Sequence, residues 1–89
     1  MAILLVTYDL NSPGQKYAKV HGYLKSFTHC KGMESVWLLD TTVSPGHVRD
    51  GLKTIVDNND TIFVVKLNRS WSSLSYSCGE WLNDGARNW

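Results

Sequence analysis

Asp9 has the most distinctive setting of any acidic residue in this chain. It ends an almost unbroken apolar run, Ala2 to Tyr8 (Ala-Ile-Leu-Leu-Val-Thr-Tyr), and Ser12-Pro13-Gly14 follows at once. A strand this apolar on both faces sits inside a sheet covered on at least one side. A carboxylate at its end is held on rigid backbone, half sheltered and aimed outward. As a metal ligand it would be a hard oxygen donor suited to Mg²⁺ (or Mn²⁺), an ion that often takes only one or two carboxylates and keeps its waters. One aspartate alone is too little. If two copies of the chain meet near the ends of their first strands, two Asp9 carboxylates face each other across a two-fold axis. A divalent ion between them could activate water and stabilise a phosphorane-like transition state. Without an ion, two facing carboxylates would repel and one would be driven toward its protonated form. The plainer alternative is a strand-end aspartate that caps the next helix or holds the turn through Asn11 and Ser12.

Other candidates surround this position. Tyr8 would point into the core with its hydroxyl at the edge, and Asn11 would orient a ligand or shape the turn. Ser35 could place a hydroxyl near the same end, and Trp37 lies just beyond it. Trp71 opens a segment dense in tryptophan, a candidate surface for stacking bases or for docking another protein.

Several kinds of chemistry are disfavoured. His21, His29 and His47 fit no metal-ligand spacing. His21 and His47 fall on helices and read as exposed. His29 and Cys30 are neighbours in an extended stretch, so their side chains point to opposite faces and do not form a nucleophile pair. No glycine-rich phosphate loop is present. The helix starts at Ser12 and Ser44 are candidate anion sites, with Arg49, Lys53, Lys66 and Arg69 as charges that could line a groove or simply solubilise the surface.

The elements that would position these residues follow from the pattern. Strand one covers roughly Ile3 to Leu10. Ser12 is a suitable N-cap with Pro13 at the first helical position. Helix one runs to about Phe27, with Tyr17, Val20, Leu24 and Phe27 on one face. Gly22 inside it marks close packing or nothing. His29 to Lys31 forms a short strand turned at Gly32, and Glu34 to Thr41 is a second extended segment. Ser44-Pro45-Gly46 repeats the earlier tripeptide and starts helix two, whose inner face is Val48, Leu52, Ile55 and Val56. Asn58-Asn59-Asp60 ends it, and Thr61 to Leu67 is another buried strand.

The order strand, helix, strand-turn-strand, helix, strand matches the split βαβ arrangement: an α+β, ferredoxin-like βαββαβ sandwich with both helices on one face of an antiparallel sheet. Residues 1–67 form this domain. Residues 68–89 form a Trp-rich C-terminal extension that packs on the sheet or on a partner subunit, with one or two helical turns over Gly79 to Asp84.

Composition sets the frame. The chain has 89 residues and a net charge of +1, so no strongly basic field announces a nucleic-acid binder, although local patches can hide in a neutral total. A domain of this size buries only somewhat more than about 60% of its unfolded surface, which makes a homodimer an economical remedy. Cys30 and Cys78 form no CxxC pair and read as two reduced structural thiols. Asp9 ends the first apolar run too early for a secretory core or a membrane span, so the default is a soluble, cytoplasmic protein with no membrane partner.

Val6-Thr7-Tyr8-Asp9-Leu10 resembles the first-strand motif of the small CRISPR-associated protein two family and of its relatives, the virulence-associated protein D ribonucleases. Ser35-Val36-Trp37 resembles the family's serine-valine-aromatic segment, and residues 60–67 resemble its last core strand. The similarity spans residues 2–67. It implies a ferredoxin-like homodimer whose first-strand aspartates sit at the subunit interface, with Asp9 as the counterpart of a proposed nuclease metal ligand. Many members of the family act as scaffolds. His29-Cys30-Lys31 stands where the family often has an arginine-rich stretch, and the Trp-rich tail is not typical of the integration subunit. The chain looks more like the stand-alone small proteins of this superfamily in bacteria and their phages. Two functions follow: a Mg²⁺-dependent endonuclease or ribonuclease acting on RNA or DNA, or a non-catalytic dimeric adaptor for nucleic acid, a signalling nucleotide or an immune-system protein.

Overall fold

The computed structural model describes residues 1–11 and 14–89. The elements in chain order are β1 (Ala2–Asp9), α1 (Gly14–Lys25), β2 (Thr28–Met33), β3 (Val36–Thr41), α2 (Pro45–Lys53), β4 (Thr61–Lys66) and α3 (Cys78–Asn83). The strands form one sheet in the order β2-β3-β1-β4, antiparallel at every pairing. This is the ferredoxin-like βαββαβ topology, extended by α3. No helix is long and apolar enough to cross a membrane among the described residues.

Alternation along β1 and β3 sorts the side chains onto two faces. Leu4, Val6 and Tyr8 of β1 and Trp37 and Leu39 of β3 pack with Val20 and Leu24 of α1 and Val48 and Leu52 of α2. This helix-side core holds most of the buried apolar surface; each fully buried aliphatic side chain in it stabilises the fold by about 1.5–3 kcal/mol. The opposite face carries Ile3 and Leu38, covered by Cys78 and Leu82 of α3, with Leu5, Leu67, Trp71, Tyr76, Trp81 and Trp89 around them. The Trp-rich tail therefore packs on the sheet of its own chain.

Start signals at α2 act as expected. Ser44 is the N-cap, its hydroxyl accepts from the His47 N–H at 3.1 Å, and Pro45 occupies the first turn. The matching cap expected at Ser12 and Pro13 lies outside the described residues.

Four expectations are corrected. First, Cys30 and Cys78 are joined in a disulfide. They are 48 positions apart, and nothing in the sequence reveals that the tail folds back onto β2. Second, the β2–β3 turn falls at Glu34–Ser35 rather than at Gly32, because β2 continues through an irregularity between Lys31 and Met33. Third, His21 is half-buried, because it follows Tyr17 by four positions and shares its helix face. Fourth, helix one ends two residues early: the Ser26 and Phe27 N–H groups close the final turn on the Tyr23 and Leu24 carbonyls at 3.1 Å. Of the two alternatives for Gly22, the second holds: it faces open space, and the close approach between the helices is at Gly51, where an added Cβ would lie 2.1 Å from the Tyr23 hydroxyl.

Candidate functional site

Asp9 is the last residue of β1 and is exposed. Alternation places it with Ile3, Leu5 and Thr7 on the tail-bearing face, at the end the tail leaves open. Its cross-strand partner in β4 is Thr61. Thr7 pairs with Val36, so the Glu34–Ser35 turn lies at the same end of the sheet. Asp9 has no hydrogen bond or ion pair among the described residues. Beside it, Phe63 and Val65 pair with Thr7 and Leu5 and are 58% and 36% exposed. The open part of the face is thus an apolar strip with one carboxylate at its end.

Asn11 and Asp60 build the support behind Asp9. The Asn11 backbone N–H donates to Asp60 Oδ1 at 2.8 Å, and the Asn11 side-chain amide donates to the Asn59 carbonyl. The Asp60 side chain has no solvent exposure and also accepts from Lys16 Nζ and the Asp57 N–H, each at 2.8 Å. These donors, the Lys16 ammonium first, hold its carboxyl down from 3.8 to about 2. Asp60 therefore fastens the chain beyond β1 to the entry of β4. In the sequence Asp60 stands out as the end of helix two and the start of the 60–67 segment; an aspartate directly before a strand, with lysines on a preceding helix, is the signal for its wider role.

Tyr8 and Trp37 lie on the opposite face from Asp9. Trp37 is 1% exposed, so its ring belongs to the core. Its indole N–H donates to the Tyr8 hydroxyl at 3.2 Å, and that hydroxyl in turn meets His21 Nε2 at 3.0 Å. Burial pushes the Tyr8 hydroxyl pKa up, opposed by the Trp37 hydrogen bond. Burial, then the Lys31 and Lys25 charges, pushes His21 below its usual value. Tyr17 and His29 complete the aromatic cluster, the His29 ring packing at a tilt against Trp37 at 5.3 Å between centroids. The cluster anchors β1, β3 and α1.

Ser35 is half-buried in the β2–β3 turn. Trp71 is half-buried where the tail meets the sheet, lining a groove of 390 Å³ with Leu5, Val36, Leu38 and Leu82. The structure thus brings Asp9, Asn11 and Ser35 to one end of the sheet and leaves Tyr8, Trp37 and Trp71 elsewhere.

The described residues contain no group of three or more His, Cys, Asp or Glu side chains able to hold a metal ion. Asp9 offers one hard oxygen donor with no soft ligand beside it, which suits Mg²⁺ or Mn²⁺ in type; the number of ligands is met only if a second copy contributes.

No family model matches the chain. Among solved structures it is similar to Cas2 of Streptococcus pyogenes, in a crystal structure at pH 6.5. The TM-score is 0.60 and the identity 23%, over 78% of this chain and 89% of that one. The residue pattern of β1, the sheet order and this likeness agree: the chain has the Cas2 fold.

Proposed function

We propose that the protein is a small metal-dependent nuclease that works as a homodimer, with Asp9 of both copies as the metal-binding and catalytic carboxylates. The observation that carries the reading is the state of Asp9: exposed, without a partner among the described residues, and set at the end of an apolar strip formed by Leu5, Thr7, Phe63 and Val65. Such a strip suits burial against a second copy, and a two-fold axis near its end would pair the two Asp9 side chains. Bound Mg²⁺ or Mn²⁺ would supply an activated water and charge stabilisation for phosphodiester cleavage in RNA or DNA. This chain's part is to hold the carboxylates on β1 and to keep the neighbouring turn fixed through Asn11 and Asp60. The reading places the protein in the cytoplasm, among its nucleic-acid substrates.

Purified protein should cut an RNA or DNA substrate with Mg²⁺ or Mn²⁺, and Asp9→Ala should abolish cutting with the dimer intact. Cutting unchanged in Asp9→Ala would overturn the assignment. A ribonuclease of the virulence-associated type would in addition arrest growth on expression, through the same residue.

One observation favours a second reading, a non-catalytic dimer that binds nucleic acid, a nucleotide or an immune-system protein. No three-ligand metal group exists among the described residues of one chain. A thermal-shift screen across nucleotides and oligonucleotides separates the two, since a binder responds without Mg²⁺ and irrespective of Asp9→Ala.

A further inference from the structure

The tail is held on the sheet by four features of different kinds. Cys78 of α3 is disulfide-bonded to Cys30 of β2. The Tyr76 ring lies over Gly32, where an added Cβ would meet Tyr76 Cε1 at 2.2 Å, so β2 has no side chain at the point where the tail crosses. Leu82 packs on Ile3 and Leu38. Arg87 Nη1 donates to Asp40 Oδ2 at 2.8 Å.

Beyond the apolar contacts of Leu82, Trp71, Tyr76, Trp81 and Trp89 with the sheet, little besides the covalent bond fastens the tail. Residues 68–77 contain no helix or strand, and α3 has six residues, too few to be helical on its own. The Asp40–Arg87 pair is buried at side-chain exposures of 5% and 15%, and Asp40 Oδ1 and Arg87 Nε have no partner among the described residues. A buried pair with unmet hydrogen-bonding groups roughly offsets its own desolvation. The groove of 390 Å³ between the tail and Leu5, Val36 and Leu38 shows that the cover is incompletely packed.

We infer that the tail is a redox-latched cover, closed on the Ile3–Leu38 face while Cys30 and Cys78 are bonded and released when they are reduced. The inference does not depend on nuclease activity. Cys78 is fully buried, whereas Cys30 lies on the edge strand β2 and is partly exposed, so the accessible sulfur is that of Cys30. The reductant is a dithiol. One of its thiolates attacks Cys30 Sγ, the Cys30–Cys78 bond breaks, and Cys78 leaves as a thiolate that takes up a proton. The second dithiol sulfur, deprotonated, then displaces Cys30 Sγ, which is protonated in turn. The dithiol ends as a cyclic disulfide, and the protein holds two thiols. Release would uncover Ile3 and Leu38 and join them to the open strip of Leu5, Phe63 and Val65, so that one continuous apolar face leads to Asp9.

Hydrogen exchange on the full chain, oxidised and after dithiothreitol, tests this. In the oxidised protein the amides of α3 should be protected. After reduction their exchange should rise roughly 30- to 1000-fold, the range that closing a loop by a disulfide is typically worth, while β1 and β3 amides stay protected. Reoxidation should restore protection, and Cys30→Ser with Cys78→Ser should match the reduced protein at any redox state. Three results would overturn the latch: α3 protection unchanged on reduction, loss of protection throughout the sheet, or two titratable thiols in protein purified without reductant and exposed to oxidised glutathione.

Discussion

Arg87 Nη1 and Asp40 Oδ2 meet at 2.8 Å beneath the tail, joining residues 47 positions apart. Asp40 lies on β3, an inner strand, and the Arg87 guanidinium also stacks over Trp81 at 4.5 Å. The pair fixes which part of the tail lies over the end of the sheet. Either Asp40→Ala or Arg87→Ala leaves a buried charge without its counterpart and should cost about 3–5 kcal/mol. Replacing both, as Asp40→Leu with Arg87→Met, should cost far less. Urea denaturation of the three variants checks this; equal losses in the single and double variants would show that packing, not charge, dominates here.

The Tyr8 hydroxyl joins Trp37 and His21. Tyr8→Phe leaves the buried Trp37 N–H without an acceptor, at about 1–3 kcal/mol by the usual cost of an unmet buried donor. The same environment holds His21 below its ordinary value of 6.5, through burial and the Lys31 and Lys25 charges. The unfolded chain therefore binds this proton more readily than the folded one. The stability linked to His21 is present above 6.5 and is lost as pH falls from there through the lower folded value. An NMR titration of His21 with a midpoint at or above 6.5 would contradict the geometry.

Asp60 acts in a more acidic range. Its carboxyl is held at about 2 against 3.8 in the unfolded chain. Its contribution is thus present above 3.8 and disappears as pH falls toward 2. Melting temperature should fall across that interval in the wild type and change less in Asp60→Asn, which should also be less stable at neutral pH. Parallel profiles for the two proteins would show that Lys16, Asn11 and Asp57 do not depend on the charge.

The helix-side half of the fold was legible because its signals are local. The Ala2 to Tyr8 run, the Ser44-Pro45 start and the Val48–Leu52 spacing each dictate their element within a few residues. The β2–β3 turn was misplaced because Gly32 carries a turn signal, yet its lack of a side chain serves Tyr76, a contact across the fold. The Cys30–Cys78 bond and the Asp40–Arg87 pair were invisible for the same reason: both join the tail to distant strands, and no periodicity encodes them. At the candidate site, Asp9 was found where expected at a strand end. Trp37, at 1% exposure, belongs to the core, and an aromatic residue looks alike in sequence whether it is a stacking platform or a core side chain.

In the proposed dimer two copies of the chain share a cation between their Asp9 side chains. A crystal structure of the purified protein grown with Mn²⁺, with anomalous scattering recorded, would locate that cation. The expected result is a two-fold dimer with one anomalous peak on the axis, within ligand distance of Asp9 from both copies. A monomer, or a dimer with the Asp9 side chains on opposite outer surfaces and no manganese near either, would contradict it.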